Sequence, residues 1–395
     1  YSPNRDISAS DPGITVLEHV RAAFTHLESF RSDDPDHKLL KIGDGDWDDG
    51  IVIMTALKSP LTIDVSNSIR SGESVPNSQM ALHVLPLMAS LVENSAPDLA
   101  ARMRDLAAWL KDGVTQQWNP DMGWFNRALL RDADNRTRLI GDHHISLQSQ
   151  VWPLITGLIA EMGHEQRLIE NVMSLLDDPS PTGAMLESKG QVWPAVSQLL
   201  TWGYQRCQPE LAWRSLNRHT FAAHGSTFPN VWFNIWSGPD GTNSRTMPNA
   251  GGTWASVVTP MTDFPVTNAN QDAMALLGLL RVCGIEPSMR GDGLDIHPQT
   301  PPERYVLQTQ LLSLDVAPGR ILGDYCPIVA GRRIFHVHVP PDAVDVTASV
   351  GGVPTAVTMG IPSRIDLQLD FAGDRAIPFE VRWRSSGAAV VPPGP

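Results

Sequence analysis

Three carboxylates and an indole lie within four consecutive residues of segment 45–50, which reads Gly-Asp-Trp-Asp-Asp-Gly. Carboxylates act as the acids and bases of glycosidic bond cleavage, and an aromatic face packs well against the apolar face of a sugar ring. The flanking glycines permit unusual backbone angles. The segment therefore predicts a sugar-cleaving loop, and the alternative is a solvated acidic turn, in which Asp and Gly are common.

The composition is that of an ordinary globular protein. Of the 395 residues, 42% are hydrophobic and 18% are charged, and the net charge is -13. This acidic balance argues against nucleic acid as a partner, and no apolar run approaches the roughly 20 residues of a membrane helix. Cys207, Cys283 and Cys326 have no metal-ligand spacing. We therefore expect no cofactor, no metal and no membrane partner.

Apolar residues recur at helical spacing through most of the first 287 residues. The spacing predicts helices at about 15–30, 76–94, 98–117, 146–161, 165–176, 190–206, 209–221 and 269–283. Segment 51–70 is mixed, with a short strand or turn at 62–65. A long irregular stretch runs from about 224 to 267, and loops of this length are usually functional.

The pattern changes after Pro287, where residues alternate with period two between Gly, Pro and Asp turns. This alternation predicts antiparallel strands. We therefore predict a helical region over 1–287 and a small β domain over 288–395 that ends in a disordered tail.

The motifs resemble glycoside hydrolase family 94, the cellobiose and chitobiose phosphorylases. That family carries a Gly-Asp-Trp-Asn-Asp-Gly loop followed by Gly-Glu-Ser, which matches 45–50 and 72–74. Further resemblances follow in the same order at 17–22, 123–128, 145–152, 284–287 and 293–298. The resemblance covers about 15–298.

The resemblance implies a mainly α fold that is part of an (α/α)6 six-hairpin barrel, followed by the small β domain. About eight helices are predicted, whereas a closed barrel needs twelve, so the helical region is expected to be N-terminally incomplete. We therefore expect a partner segment or a second chain to pack against the helices around 15–30 and 76–117, and a homodimer stays open.

The family's general acid falls on Asp49. Burial and neighbouring like charges raise the pKa of a carboxyl, and Asp46 and Asp48 are expected to supply such charges. The family has Asn where this chain has Asp48, which changes the charge beside the acid. The substrate-binding residues implied or predicted here are Asp46, Trp47, Asp48, Glu73, Gln150, Glu187 and Trp236. Two of these residues could instead have a purely structural role. Glu73 could cap its helix, and Gln150, like Trp152, could be a core residue.

The phosphate ligands of the family are not matched. Its phosphate-binding His is replaced by Pro194, in a segment that keeps Glu187, and its Thr-Gly pair falls on Asn268 and Ala269. Neither Pro nor Ala offers a side-chain donor, so water is the expected acceptor. Water needs a carboxylate as base, and the candidates are Asp240, Glu187 and Asp263. Asp240 is favoured, although it could be a simple turn residue before Gly.

Three interpretations remain open. The first is an inverting glycoside hydrolase acting on an oligosaccharide, the second a glycoside phosphorylase with a rebuilt phosphate site, and the third a non-catalytic carbohydrate-binding relative. No secretory signal is visible, so a cytoplasmic location is expected. A secreted or periplasmic location stays open, because the sequence starts at Tyr1 without Met.

Overall fold

The computed structural model describes residues 13–43, 45–46, 50–59, 62–231, 241–254, 269–288, 291–298, 304–360, 363–373 and 375–386. The chain forms two compact units. Unit 1 comprises Tyr1–Trp118 with Asn126–Asp142, and unit 2 comprises Asn119–Phe125 with His143–Pro395. The predicted domain boundary between residues 287 and 288 stays a prediction.

Unit 1 is built from helices around a small sheet. Its helices are α1 (Val16–Glu28), α2 (Ile51–Lys58), α3 (Val65–Ser71), α4 (Val75–Val92) and α5 (Pro97–Gln116). The strands of this part of the sequence are β1 (Leu40–Lys41), β2 (Glu73–Ser74), β3 (Trp118–Asn119), β4 (Trp124–Phe125), β5 (Ala128–Arg131) and β6 (Thr137–Ile140). The sheet of unit 1 has the antiparallel order β1-β2-β5-β6.

The helix signals in unit 1 are local and strong. Thr15 and Glu18 form a complete capping box at the start of α1. Pro97 is the first residue of α5, where its missing N–H has no cost. Apolar faces of α1, α4 and α5 share one core, which includes Phe24, Leu85 and Leu106.

Of the strand or turn predicted at 62–65, the structure has a turn at Thr62 and no strand. Residues 51–58 and 65–71 form α2 and α3, and Asp64 begins the second of these helices by accepting a hydrogen bond from the Asn67 N–H at 2.7 Å. The β-branched side chains of Thr62, Ile63 and Val65 favoured a strand, but this cap overrides that preference.

Unit 2 has a helical part and a strand-rich part. The helices are α6 (Gln148–Thr156), α7 (Leu158–Glu161), α8 (Glu165–Val172) followed by a π-helical turn (Met173–Asp177), α9 (Pro194–Cys207), α10 (Pro209–Arg218), α11 (Phe221–Thr227) and α12 (Ala269–Val282). Helix α9 is buried along most of its length and contacts α6, α10 and α12. Twelve α-helices are thus present in the described residues, more than the eight predicted. Throughout the described residues of both units, no helix is long and apolar enough to span a membrane.

Two larger sheets form the end of unit 2. After β7 (Gln191–Val192) and β8 (Thr242–Asn243), the strands are β9 (Ile285–Pro287), β10 (Gly293–Ile296), β11 (Tyr305–Gln308), β12 (Leu312–Ala317), β13 (Arg320–Tyr325), β14 (Gly331–His338), β15 (Ala343–Val350), β16 (Val353–Thr355), β17 (Met359–Gly360), β18 (Arg364–Phe371) and β19 (Ile377–Ser385). Their orders are β17-β18-β14-β10-β9 and β11-β12-β13-β19-β15-β16.

These sheets confirm the predicted class, a mainly α chain followed by an antiparallel β region. Among the described strands, every pair in them is antiparallel except β10 with β14. Alternate residues of β18 are buried, and the core includes Phe335, Leu367 and Phe379. Gly323 interrupts the apolar alternation within β13. The structure explains this glycine, because a Cβ there would lie 2.4 Å from the Phe379 ring.

Candidate active site

The acidic loop begins within the described part of unit 1. Gly45 and Asp46 are described, whereas Trp47, Asp48 and Asp49 lie outside the described residues. The structure therefore shows how the start of the loop is held, and the assignment of Asp49 as the acid stays a prediction.

Asp46 is held by a buried ion pair. Arg127 Nη1 lies 3.2 Å from Asp46 Oδ2, and Arg127 Nη2 lies 2.5 Å from Oδ1. The two side chains are 2% and 0% exposed. Ser74 Oγ donates a further hydrogen bond to Asp46 Oδ2 at 2.5 Å. A two-pronged contact of this kind fixes both the position and the orientation of a carboxylate.

This pairing changes one expectation about electrostatics. From the sequence, Asp46 is expected to act as a like charge that raises the pKa of Asp49. The guanidinium of Arg127 balances the charge of Asp46, so the pair acts on its surroundings as a dipole rather than a net charge. Asp48 is then the neighbouring aspartate that is expected to raise the pKa of Asp49 by charge repulsion.

Glu73 lies beside this ion pair in a second buried polar cluster. Its carboxylate accepts a hydrogen bond from Ser32 Oγ and contacts His37 Nδ1 at 2.8 Å, and Arg131 Nη2 lies 3.6 Å away. Burial raises the pKa of Glu73 above its ordinary value of 4.5, against the opposing pull of its three partners. Ser74, rather than Glu73, caps α4 by accepting a hydrogen bond from the Asn77 N–H at 3.1 Å.

Glu73→Gln should remove part of the pH dependence of stability above pH 4.5. The folded protein holds the Glu73 proton more tightly than the unfolded chain does. Its contribution is therefore complete below pH 4.5 and is lost as the pH rises through the raised folded pKa. Urea unfolding between pH 4 and 7 should give a flatter profile for the variant. Equal slopes in both proteins would contradict this, and Glu210→Gln on the surface is the control.

The side chain of Gln150 forms hydrogen bonds with the main chain of unit 2. Its Oε1 accepts from the Phe125 N–H at 2.9 Å, and its Nε2 donates to the carbonyls of Phe125 and Ser146 at 3.0 and 2.9 Å. Trp152 is buried and meets Trp202 edge to face, with ring centroids 6.3 Å apart. Both side chains are buried within unit 2, and the predicted role of Gln150 in substrate binding stays a prediction.

Gln150→Met should lower the free energy of unfolding by about 1–3 kcal/mol. The substitution roughly preserves volume but leaves the buried Phe125 N–H without its partner, and an unsatisfied buried group carries a penalty of this size. Urea denaturation measures the change. Gln166→Met, at an exposed position, should stay within about 0.5 kcal/mol. Equal effects at the two positions would show that the Gln150 contacts are unimportant.

Glu187 lies at an exposed turn of unit 2. It forms an antiparallel bridge with Ser146, and Gly190 N–H donates to its carbonyl at 2.8 Å. Lys189 in the same turn has a positive φ of 65°. The other base candidates, Asp240 and Asp263, and the predicted sugar contact Trp236 lie outside the described residues.

Helix α9 follows this turn after the short strand β7. Pro194 is its first residue, and Trp193 precedes it without a side-chain cap. Trp193 meets Trp254 edge to face at 6.3 Å between ring centroids. Asn268, one residue of the expected phosphate-binding pair, lies outside the described residues, and Ala269 begins α12.

The buried arginines of unit 1 are not among the residues predicted for the site. Arg127 and Arg131 are four residues apart in a segment whose other members, from Phe125 to Leu130, are almost all buried and uncharged. Arginine is rarely buried unless it is paired. That spacing was a usable signal for two buried carboxylates, although it does not say which ones. Within the described residues, no group of three or more His, Cys, Asp and Glu is arranged to hold a metal.

In unit 1, the first aspartate of the acidic loop, Asp46, is thus held by a buried ion pair among helices and a small sheet. Residues 5–198 match the glycosyl hydrolase 94 superfamily, catalytic domain, and this match supports a carbohydrate-active enzyme. The match confirms the resemblance drawn from the motifs and the class of fold that it implied. No curated protein matches the chain.

Solved structures of glycosidases are more distant. The α-L-rhamnosidase from Streptomyces avermitilis, complexed with L-rhamnose, is 16% identical with a TM-score of 0.45, over 93% of this chain and 30% of that one. The α-L-rhamnosidase from Dictyoglumus thermophilum is 12% identical with a TM-score of 0.44, over 76% and 31%. The GH63 mannosylglycerate hydrolase from Thermus thermophilus is 10% identical with a TM-score of 0.35, over 69% and 58%. The chain thus spans about a third of the length of the two rhamnosidases.

Proposed function

We propose that this protein cleaves a glycosidic bond in an oligosaccharide by inversion, with water as the acceptor. Asp49 protonates the leaving oxygen as general acid, and a second carboxylate activates the water. The superfamily match over residues 5–198 supports this proposal, because it includes the acidic loop at 45–50. Trp47 lines the sugar site in this scheme.

Pro194 is the observation that favours water over phosphate. The phosphorylases that the motifs resemble have a phosphate-binding His at this position, whereas here a proline begins α9. Proline has neither a side-chain donor nor a main-chain N–H. A phosphate dianion needs several charge-assisted hydrogen bonds of about 1.5–3 kcal/mol each. Losing even two of them weakens binding by orders of magnitude, since about 1.4 kcal/mol is tenfold.

The base is one of three carboxylates in this proposal. Inversion requires acid and base to lie about 6.5–9.5 Å apart, with room for one water. Asp240 remains the favoured candidate, and Asp263 is a second. Glu187 is the third, and its exposed position gives solvent access to it.

Free reducing sugar should form at the same rate with and without inorganic phosphate. Product analysis of oligosaccharide digests by chromatography, with phosphate from zero to about 10 mM, measures this, and the anomer released first reports inversion by NMR. Formation of a sugar 1-phosphate would overturn the hydrolase proposal in favour of a phosphorylase. The exposed cations Lys189 and Arg245 would then be the first residues to test as phosphate ligands.

A further inference from the structure

We propose that Arg127 is a positioning residue for the acidic loop, and that Asp46 is the anchor through which it acts rather than a contact to the sugar. The consequence for turnover rests on the proposed function. The anchoring itself can be tested separately, because it concerns the order of the loop in the free protein.

The carboxylate of Asp46 is fully used by protein donors. Oδ1 receives Arg127 Nη2, and Oδ2 receives both Arg127 Nη1 and Ser74 Oγ. Because the Asp46 side chain is 0% exposed, a sugar hydroxyl would have to displace one of these donors to reach it. Asp46 therefore suits an anchor and does not suit a ligand for a soluble substrate.

Arg127 is itself held by the sheet of unit 1. Its N–H donates to the Ile140 carbonyl at 2.7 Å, and its carbonyl accepts from the Val75 N–H at 3.4 Å. Gly141 makes this close approach feasible, because a Cβ at Gly141 would lie 2.7 Å from Arg127 N. The guanidinium is thus aimed from a rigid base, as a positioning residue requires.

Helix α4 completes the anchor. The hydroxyl of Ser74 donates to Asp46 and accepts from the Asn77 N–H, so one side chain joins the loop to the first turn of the helix. Asn77 Nδ2 also donates to the Gly45 carbonyl at 3.0 Å. Both residues that precede Trp47 are therefore fixed, and Asp49 is three residues beyond the anchor in sequence.

The test uses the full chain with Arg127→Lys, Asp46→Asn and the double variant. Arg127→Lys keeps the charge but loses the two-pronged geometry. Each variant should lower kcat by about 10- to 100-fold and leave KM within about twofold, because a displacement near 1 Å affects chemistry more than binding. The double variant should be no worse than the worse single variant, because both act through one contact.

Hydrogen exchange measured by mass spectrometry reports the anchor without any turnover. Peptides that contain 44–50 should exchange at least about tenfold faster in each variant, while those from α5 stay unchanged. Arg138→Lys is the matched control, since Arg138 binds Asp132 through Nε and Nη2 at 3.1 and 2.8 Å but is 46% exposed. It should change neither exchange at 44–50 nor kcat.

Two results would overturn the inference. Unchanged exchange at 44–50 in both single variants would show that the pair does not order the loop. A raised KM with an unchanged kcat in Asp46→Asn would identify Asp46 as a sugar contact. If no glycoside is turned over by the wild-type chain, the proposed function fails, but faster exchange confined to 44–50 would still establish the anchor.

Discussion

Asp49→Asn should lower turnover of glycosides with poor leaving groups by about 10²–10⁴-fold, the range that general acid catalysis usually contributes. The amide cannot give up a proton to the leaving oxygen, yet it keeps the size and hydrogen-bonding ability of the carboxyl. The measurement is kcat/KM on an oligosaccharide, with circular dichroism to show that the fold is intact.

The dependence on leaving group separates an acid from an anchor. An aryl glycoside with a good leaving group needs little protonation, so Asp49→Asn should affect it much less than an oligosaccharide. Asp46→Asn should slow both substrates about equally, because a displaced loop impairs the site whatever the leaving group. The assignment of the acid would be off by one or two positions if the leaving-group dependence belonged to Asp48 or Asp46 instead.

Helices with strong local signals could be predicted from the sequence nearly to the residue. Segments 76–94 and 98–117 were predicted, and the structure has helices at Val75–Val92 and Pro97–Gln116. The start of each helix can be recognised in the sequence. Ser74 caps the first helix, and Pro97 occupies the first position of the second. The short helices of segment 51–70 were not predicted, because α2 has no side-chain cap and the Asp64 cap of α3 competes with β-branched residues.

The sequence indicates a candidate site, but it does not indicate which residues support that site. Segment 45–50 stands out by composition alone. Arg127, however, is 81 residues from Asp46, and no local pattern specifies a contact at that separation. The sequence also could not distinguish a carboxylate that meets substrate from one that is buried in an ion pair. Asp46 and Glu73 were predicted as sugar contacts, and the structure places each among protein donors.

Arg127→Met should lower the free energy of unfolding by about 3–5 kcal/mol, because it leaves the carboxylate of Asp46 buried without its partner. Adding Asp46→Leu should recover most of that loss, since replacing both members of a buried pair by apolar residues is often close to neutral. Urea denaturation of the wild type, both single variants and the double variant completes the cycle.

Activity in the double variant decides what the pair is for. If Arg127 and Asp46 served stability alone, recovered stability would bring recovered turnover. We expect instead that the double variant folds and remains at least about tenfold slower, because a leucine side chain cannot accept the hydrogen bond from Ser74 that helps to hold the loop. A double variant that is both stable and fully active would show that the loop needs no anchor at this position.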